Sequence, residues 1–194
     1  MLVLKKKTTK QRIRRRAKLG FTLIEAALTT VIVGTGVLAI VSAQQAFHRE
    51  NMWAQRSSTG MVLANELREL TLAMPMHDPI SHDITLGPED NEESYLDFDD
   101  VDDFAGTVAE DGSSSGMVFD PPINALKQQI DDMQGWSQEI KVSSVFESDI
   151  SSSLVQPLGS TDIMRVSVTI YFQQPNRVDA KKHTIAQLSW VIDN

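Results

Sequence analysis

FTLIEAALTTVIVGTGVLAIVSA, residues 21–43, is an apolar run interrupted by one acid, Glu25. Its 23 residues, at about 1.5 Å of rise each, would cover about 34 Å as a helix, against a bilayer hydrocarbon core of about 30 Å. A membrane-spanning helix is therefore predicted over 21–43. The flank before it, residues 1–20, carries nine positive charges and no negative one. Lys and Arg resist translocation, so this leader would hold its end of the helix in the cytoplasm and leave the following chain on the far side. An acid at the bilayer centre costs up to about 3 kcal/mol, and less near an end where it reaches the interface. Glu25 lies near the end, where the helix dipole also favours a carboxylate. It is either a shallow carboxylate tolerated at the helix start or one that meets a positive partner in an assembly.

Beyond the run, a helical pattern continues in polar form over 44–74. Leu63, Leu67, Leu70 and Met74 recur at spacings of four, three and four, while Glu66 and Arg68 fall elsewhere on the wheel, so one stripe seeks a cover. Pro75 is expected to end the helix at Met74, because the residue before proline avoids the α region. Ser57-Ser58-Thr59-Gly60 is a poor helix interior, where a bend is expected. Gly34 and Gly36 would either loosen the spine or permit close helix contacts.

The C-terminal part reads as antiparallel β. In residues 163–173, Met164, Val166, Val168, Ile170 and Phe172 alternate with Arg165, Ser167, Thr169 and Tyr171, the pattern of a half-buried strand. Further strands are read at 136–146 and 183–192, the last two joined by the turn-rich segment from Gln174 onward. A sheet with one apolar face needs a layer over it, and the stripe on 63–74 is the candidate. The fold class is α+β, a long N-terminal helical spine packed on a small antiparallel sheet. The expected parts are a basic leader at 1–20, a membrane or assembly helix at 21–43, its amphipathic continuation at 44–74, an acidic loop region at 75–116 and a β head at 117–194.

All 26 acidic residues and only nine of the 18 basic ones follow Gly20, so the chain beyond it has a formal side-chain charge of −17. A broad cationic surface for nucleic acid is not expected. Residues 69–126 hold fifteen acids and neither Lys nor Arg. The densest stretch contains Asp97, Asp99, Asp100, Asp102 and Asp103. Uncompensated like charge favours an open, solvated loop. Calcium, a hard cation that takes carboxylate oxygens, is the alternative, although Val101 and the missing glycine break the EF-hand pattern. Phe98, Val101 and Phe104 are expected to tuck the loop against the head.

The chain has no cysteine, hence no disulfide and no thiol chemistry. His48, His77, His82 and His183 are scattered without the spacing of metal ligands on one helix face. No phosphate-binding glycine loop is present, and residues 112–116, GSSSG, although they match G-x-S-x-G, read as a flexible link and not as a nucleophile. An enzyme is not expected.

Lys18-Leu19-Gly20-Phe21-Thr22-Leu23-Ile24-Glu25 closely resembles the processing site of type IV prepilins and type II secretion pseudopilins. The resemblance covers residues 18 to about 45. It implies cleavage after Gly20 by a prepilin peptidase, N-methylation of Phe21, and a role for Glu25 in assembly with other pilin subunits through the N-terminal helix. It also implies residence in a bacterial inner membrane, leader cytoplasmic and head periplasmic, before entry into a pilus or pseudopilus. Ser42 stands where many pilins place a kinking proline, and the C-terminal disulfide loop of many major pilins has no counterpart. Asp99-Asp100-Val101-Asp102-Asp103-Phe104-Ala105-Gly106, with Gly135-Trp136 downstream, is similar to minor pilins of the MshD and PilV-like kind. That likeness implies a minor subunit. Two further readings stand beside it: a pseudopilin serving protein secretion, and a secreted or tethered binding domain released before Gln44, since Val41-Ser42-Ala43 has the small-x-small pattern of an ordinary signal peptidase site. The arginine pair within Arg14-Arg15-Arg16 lacks the rest of a twin-arginine export signal.

Overall fold

The computed structural model describes residues 22–78, 86–151, 154–175 and 180–193. The leader, Gly20, Phe21 and His82 lie outside the described residues. One helix, α1 (Leu23–Leu72), precedes four strands, β1 (Met117–Phe119), β2 (Trp136–Ser144), β3 (Ile163–Phe172) and β4 (His183–Asp193). The helix begins at Thr22, whose Oγ1 accepts the Glu25 N–H at 3.3 Å, so a hydroxyl satisfies one of the donors that every helix start leaves open. It ends two residues short of the expected Met74: the Ala73 and Met74 N–H groups turn back to Leu70 O and Thr71 O three residues earlier, tightening the last turn ahead of Pro75.

The chain divides after Arg49 into two units. In the first, the large apolar side chains of α1 are all exposed, from Leu23 at 90 % to Val41 at 43 %. This is the one helix among the described residues long and apolar enough to cross a membrane. In the second, Leu63, Ala64, Leu67 and Leu70 are buried, and the predicted stripe is the cover of the sheet. The helix runs unbroken through residues 57–60, and the reason lies across the interface. A Cβ on Gly60 would meet Ile185 Cγ2 at 2.8 Å and Ala186 Cβ at 3.2 Å, so the glycine lets β4 approach the helix.

The sheet is an antiparallel meander of order β1-β2-β3-β4. Met164, Val166, Val168 and Ile170 of β3 are buried on the helix side, as the alternation predicts. β4 departs from strict alternation. Its pairing slips between Ile170 and Tyr171, and the bulge turns both Ile185 and Ala186 inward against α1. Gln138 of β2 is fully buried and joins three elements: its Nε2 donates to Leu63 O at 2.9 Å and to Ile123 O at 3.1 Å, and its Oε1 accepts the Ile123 N–H at 2.8 Å. Arg56 lays its guanidinium 4.4 Å from the centre of the Phe172 ring, which in turn packs on Trp136.

The segment 112–116 differs from the expected flexible link. Gly112 N–H turns to Ala109 O, Ser114 bridges to Val108, and the Ser114 hydroxyl donates to Val142 O at 2.6 Å. A single short backbone turn and its attachment to β2 leave no free spacer.

Candidate functional site

Two groups of residues carry candidate chemistry. Of the three residues expected to serve processing and assembly, only Glu25 is described, in the first turn of α1 and exposed. Thr22 and Glu25 stand in the T-x-x-E spacing of a capping box, with the Thr22 half of that exchange formed. The Thr29 hydroxyl donates to Glu25 O, and that of Thr30 to Ala26 O at 2.8 Å, so both hydroxyls are satisfied within the helix.

The second group is the acidic loop, and here the structure corrects the expectation of open, solvated charge. Asp100, Asp102 and Asp103 are fully buried. Phe98, Val101 and Phe104 are the reason: all three enter the core, Phe98 edge-on to Phe104 and Phe104 edge-on to Phe119, and they draw the neighbouring aspartates in with them. The Val101 N–H donates to Pro75 O at 3.0 Å, which ties the loop to the end of α1. A one-turn 3-10 helix, Asp102–Ala105, then leads into Gly106.

Backbone donors meet one side of each buried acid. Asp103 Oδ2 accepts the N–H groups of Asp99 at 3.0 Å and Asp100 at 3.2 Å, and Asp100 Oδ1 those of Asp102 at 2.9 Å and Asp103 at 3.2 Å. Asp102 is partnered at both oxygens, by the Gly87 N–H at 2.9 Å and by His77 Nδ1. Gly87 is bound to be glycine: its φ is +85°, and a Cβ would lie 2.6 Å from Gly106 O. Asp100 Oδ2 and Asp103 Oδ1, in contrast, are buried with no hydrogen-bond partner. They belong to two groups of carboxylates, Glu89 with Glu92 and Asp103, and Asp99 with Asp100 and Asp103, whose oxygens come within 4.8 Å of one another.

Ionised carboxylates only accept, so acids meeting without donors between them must take up protons or a cation. Burial is the main cause that pushes Asp100 up to about 8 and Glu89 to about 7, with neighbouring acids adding to both. Asp102, Asp103 and Glu92 are also raised, burial again leading, although His77 opposes the rise at Asp102. Sequence reading placed the aspartates but missed His77, Gly87, Glu89 and Glu92, which are brought in by long-range folding. The density of acids without Lys or Arg was the one signal available. His48 and His183 are exposed.

No protein-family model, curated protein or solved structure matches the chain. The chain is an α+β protein: a long helix, apolar and exposed over its first half, whose second half packs on a four-stranded antiparallel sheet.

Proposed function

We propose that the chain is a minor pilin-like structural subunit, cut after Gly20 by a prepilin peptidase, N-methylated at Phe21 and assembled through its N-terminal helix into a type IV pilus or related filament. The observation that carries this reading is a pairing of features. The apolar half of α1 is uncovered along its whole length, while the head has a complete core of its own, so the apolar helix serves something outside the chain. A membrane satisfies that need before cleavage, and packed helices of other subunits satisfy it afterwards.

Cleavage after Gly20 removes nine positive charges and creates an amine on Phe21. In a bundle of apolar helices an unpaired carboxylate is costly, and the amine of a neighbouring subunit neutralises Glu25. That pairing sets axial register. The protein resides in the inner membrane with its head in the periplasm until it is drawn into the filament.

Mass spectrometry of the mature N-terminus tests the proposal. A chain beginning with N-methyl-Phe21 supports it, one beginning at Met1 refutes it, and one beginning at Gln44 identifies a secreted binding domain instead. Probing sheared pilus fractions against secretion-dependent pseudopilus fractions separates a pilus subunit from a secretion pseudopilin.

A further inference from the structure

The geometry points to a calcium site in the acidic loop, with Asp100 Oδ2 and Asp103 Oδ1 as its buried ligands and Glu89, Glu92 and Asp99 as the carboxylates that close around the ion. This inference does not depend on the filament reading.

The first support is the pair of orphaned oxygens. Asp100 and Asp103 are each fully buried, each spends one oxygen on two backbone N–H groups, and each leaves the other oxygen without an N–H or hydroxyl donor; the side chain that reaches Asp103 is another acid, Glu92. A buried acceptor left unmade is costly, and these two are close enough to other carboxylates to share one solution. The backbone donors hold Asp100 and Asp103 in place without the ion, so the ligands are preorganised.

The second support is spacing. Asp103 belongs to both carboxylate groups, and in each the oxygens lie within 4.8 Å of one another. Calcium binds oxygens at about 2.3–2.6 Å, so ligands on opposite sides of one ion stand about 5 Å apart. The oxygens of each trio are therefore spaced to touch a common centre, and the two trios meet at Asp103. Glu89 and Glu92 approach from one loop and Asp99, Asp100 and Asp103 from the next, so an ion between them fastens the two together.

The third support is chemistry. The grouped side chains are all carboxylates, without cysteine, and the His77 imidazole is engaged by Asp102; this set suits a hard cation and not zinc. An irregular loop suits calcium, which accepts variable geometry, better than magnesium, which demands an octahedron and keeps its waters. Neither Lys nor Arg occurs in residues 69–126, and Lys127, whose ammonium reaches this loop, is engaged there by the backbone carbonyls of Leu96 and Phe98. Glu92 also lines an open groove of about 520 Å³, which gives an ion its way in from solvent.

The test uses the full chain in detergent micelles, stripped with a chelator and titrated with calcium chloride, with magnesium chloride in parallel. Calorimetry should show a single calcium site. The melting midpoint should rise by several degrees in calcium. A protease that cuts after acidic residues should cleave the 89–103 region more slowly; trypsin is blind there, having no Lys or Arg to read. Glu92→Gln keeps the shape of a half-buried side chain and should weaken calcium binding at least about tenfold. Asp103→Asn keeps a carbonyl for the two N–H groups and removes a buried charge, so it should melt no lower than the parent in chelator yet lose the calcium-induced rise. Equal melting and digestion in calcium and in chelator overturns the proposal, as does unchanged affinity in Glu92→Gln. An equal response to magnesium overturns the choice of ion.

Discussion

Glu139 and Tyr171 show how a single polar contact is tuned on the outer face of the sheet. Glu139 pairs with Thr169 and Ser137 with Tyr171, so the two side chains are diagonal neighbours on adjacent strands, and the Tyr171 hydroxyl donates to Glu139 Oε2 at 2.6 Å. That bond, helped by Lys141 at 3.2 Å, lowers the Glu139 carboxyl below its ordinary 4.5, and Glu139 in turn raises Tyr171 above 10. The signs then follow. A lowered acid contributes stability that is present above the ordinary glutamate range and is lost as pH falls through the lowered value. A raised phenol contributes stability that is present below pH 10 and is lost as pH rises through the raised value. Tyr171→Phe should move the Glu139 titration, followed by carboxyl NMR, back toward 4.5, at a stability cost near neutral pH of about 1 kcal/mol or less. An unmoved Glu139 midpoint would show that the lysines, Lys141 and Lys182, set it without the phenol. Gln138 is the opposite case, because its partners are buried. Gln138→Leu leaves the Ile123 N–H and the Leu63 and Ile123 carbonyls without the amide, and should cost about 3 kcal/mol, read as a lower denaturation midpoint.

Between helix and sheet, fit at Gly60 decides more than helix propensity. Alanine at an exposed helical glycine gains about 1 kcal/mol, but here its Cβ would sit 3.2 Å from the immobile Ala186 Cβ and 2.8 Å from Ile185 Cγ2. Gly60→Ala should therefore lower stability by about 1–2 kcal/mol, the cost of overpacking, and a thermal melt at or above the parent's would refute the close-approach account. The elements that were legible in the sequence were those with a period. β3 alternates over its whole length and the stripe of Leu63, Leu67 and Leu70 repeats at helical spacing, because each answers to a single flat neighbour. β1 escaped notice since three residues hold too little pattern to register, and its place is set by pairing with Glu139 and its neighbours in β2. The bulge in β4 was equally hidden, since it answers to Gly60, far away in the chain. The acidic loop misled for a related reason: like charges predict solvation until aromatic neighbours bury them, and their partners, His77 and the Gly87 N–H, lie 25 and 15 residues from Asp102.

At the scale of the whole chain, the charge is divided in a way that bears on order of events. Nine positive charges lie before Gly20 and a formal −17 after it, which on the proposed filament reading would hold the cationic end of the uncut protein at the cytoplasmic face and the acidic head beyond the membrane. Two substitutions should therefore arrest it at different stages. Gly20→Val crowds the backbone where a protease must approach, so the product should keep its leader and remain wholly in the membrane fraction, with no subunit in sheared filaments. Glu25→Ala leaves the cut site intact, so the leader should be lost and Phe21 methylated, yet incorporation should fall to background because the Phe21 amine of a neighbour no longer finds its carboxylate. The alternative use of Glu25, as a helix-start carboxylate with no outside partner, makes a different forecast. Thr22 already caps α1, so loss of the Glu25 carboxylate would then cost only about 0.3–1 kcal/mol of dipole interaction and leave incorporation untouched. Immunoblots of membrane and filament fractions, with the N-terminal mass of each, separate the two: mature but unincorporated Glu25→Ala supports register by charge pairing, and normal incorporation overturns it.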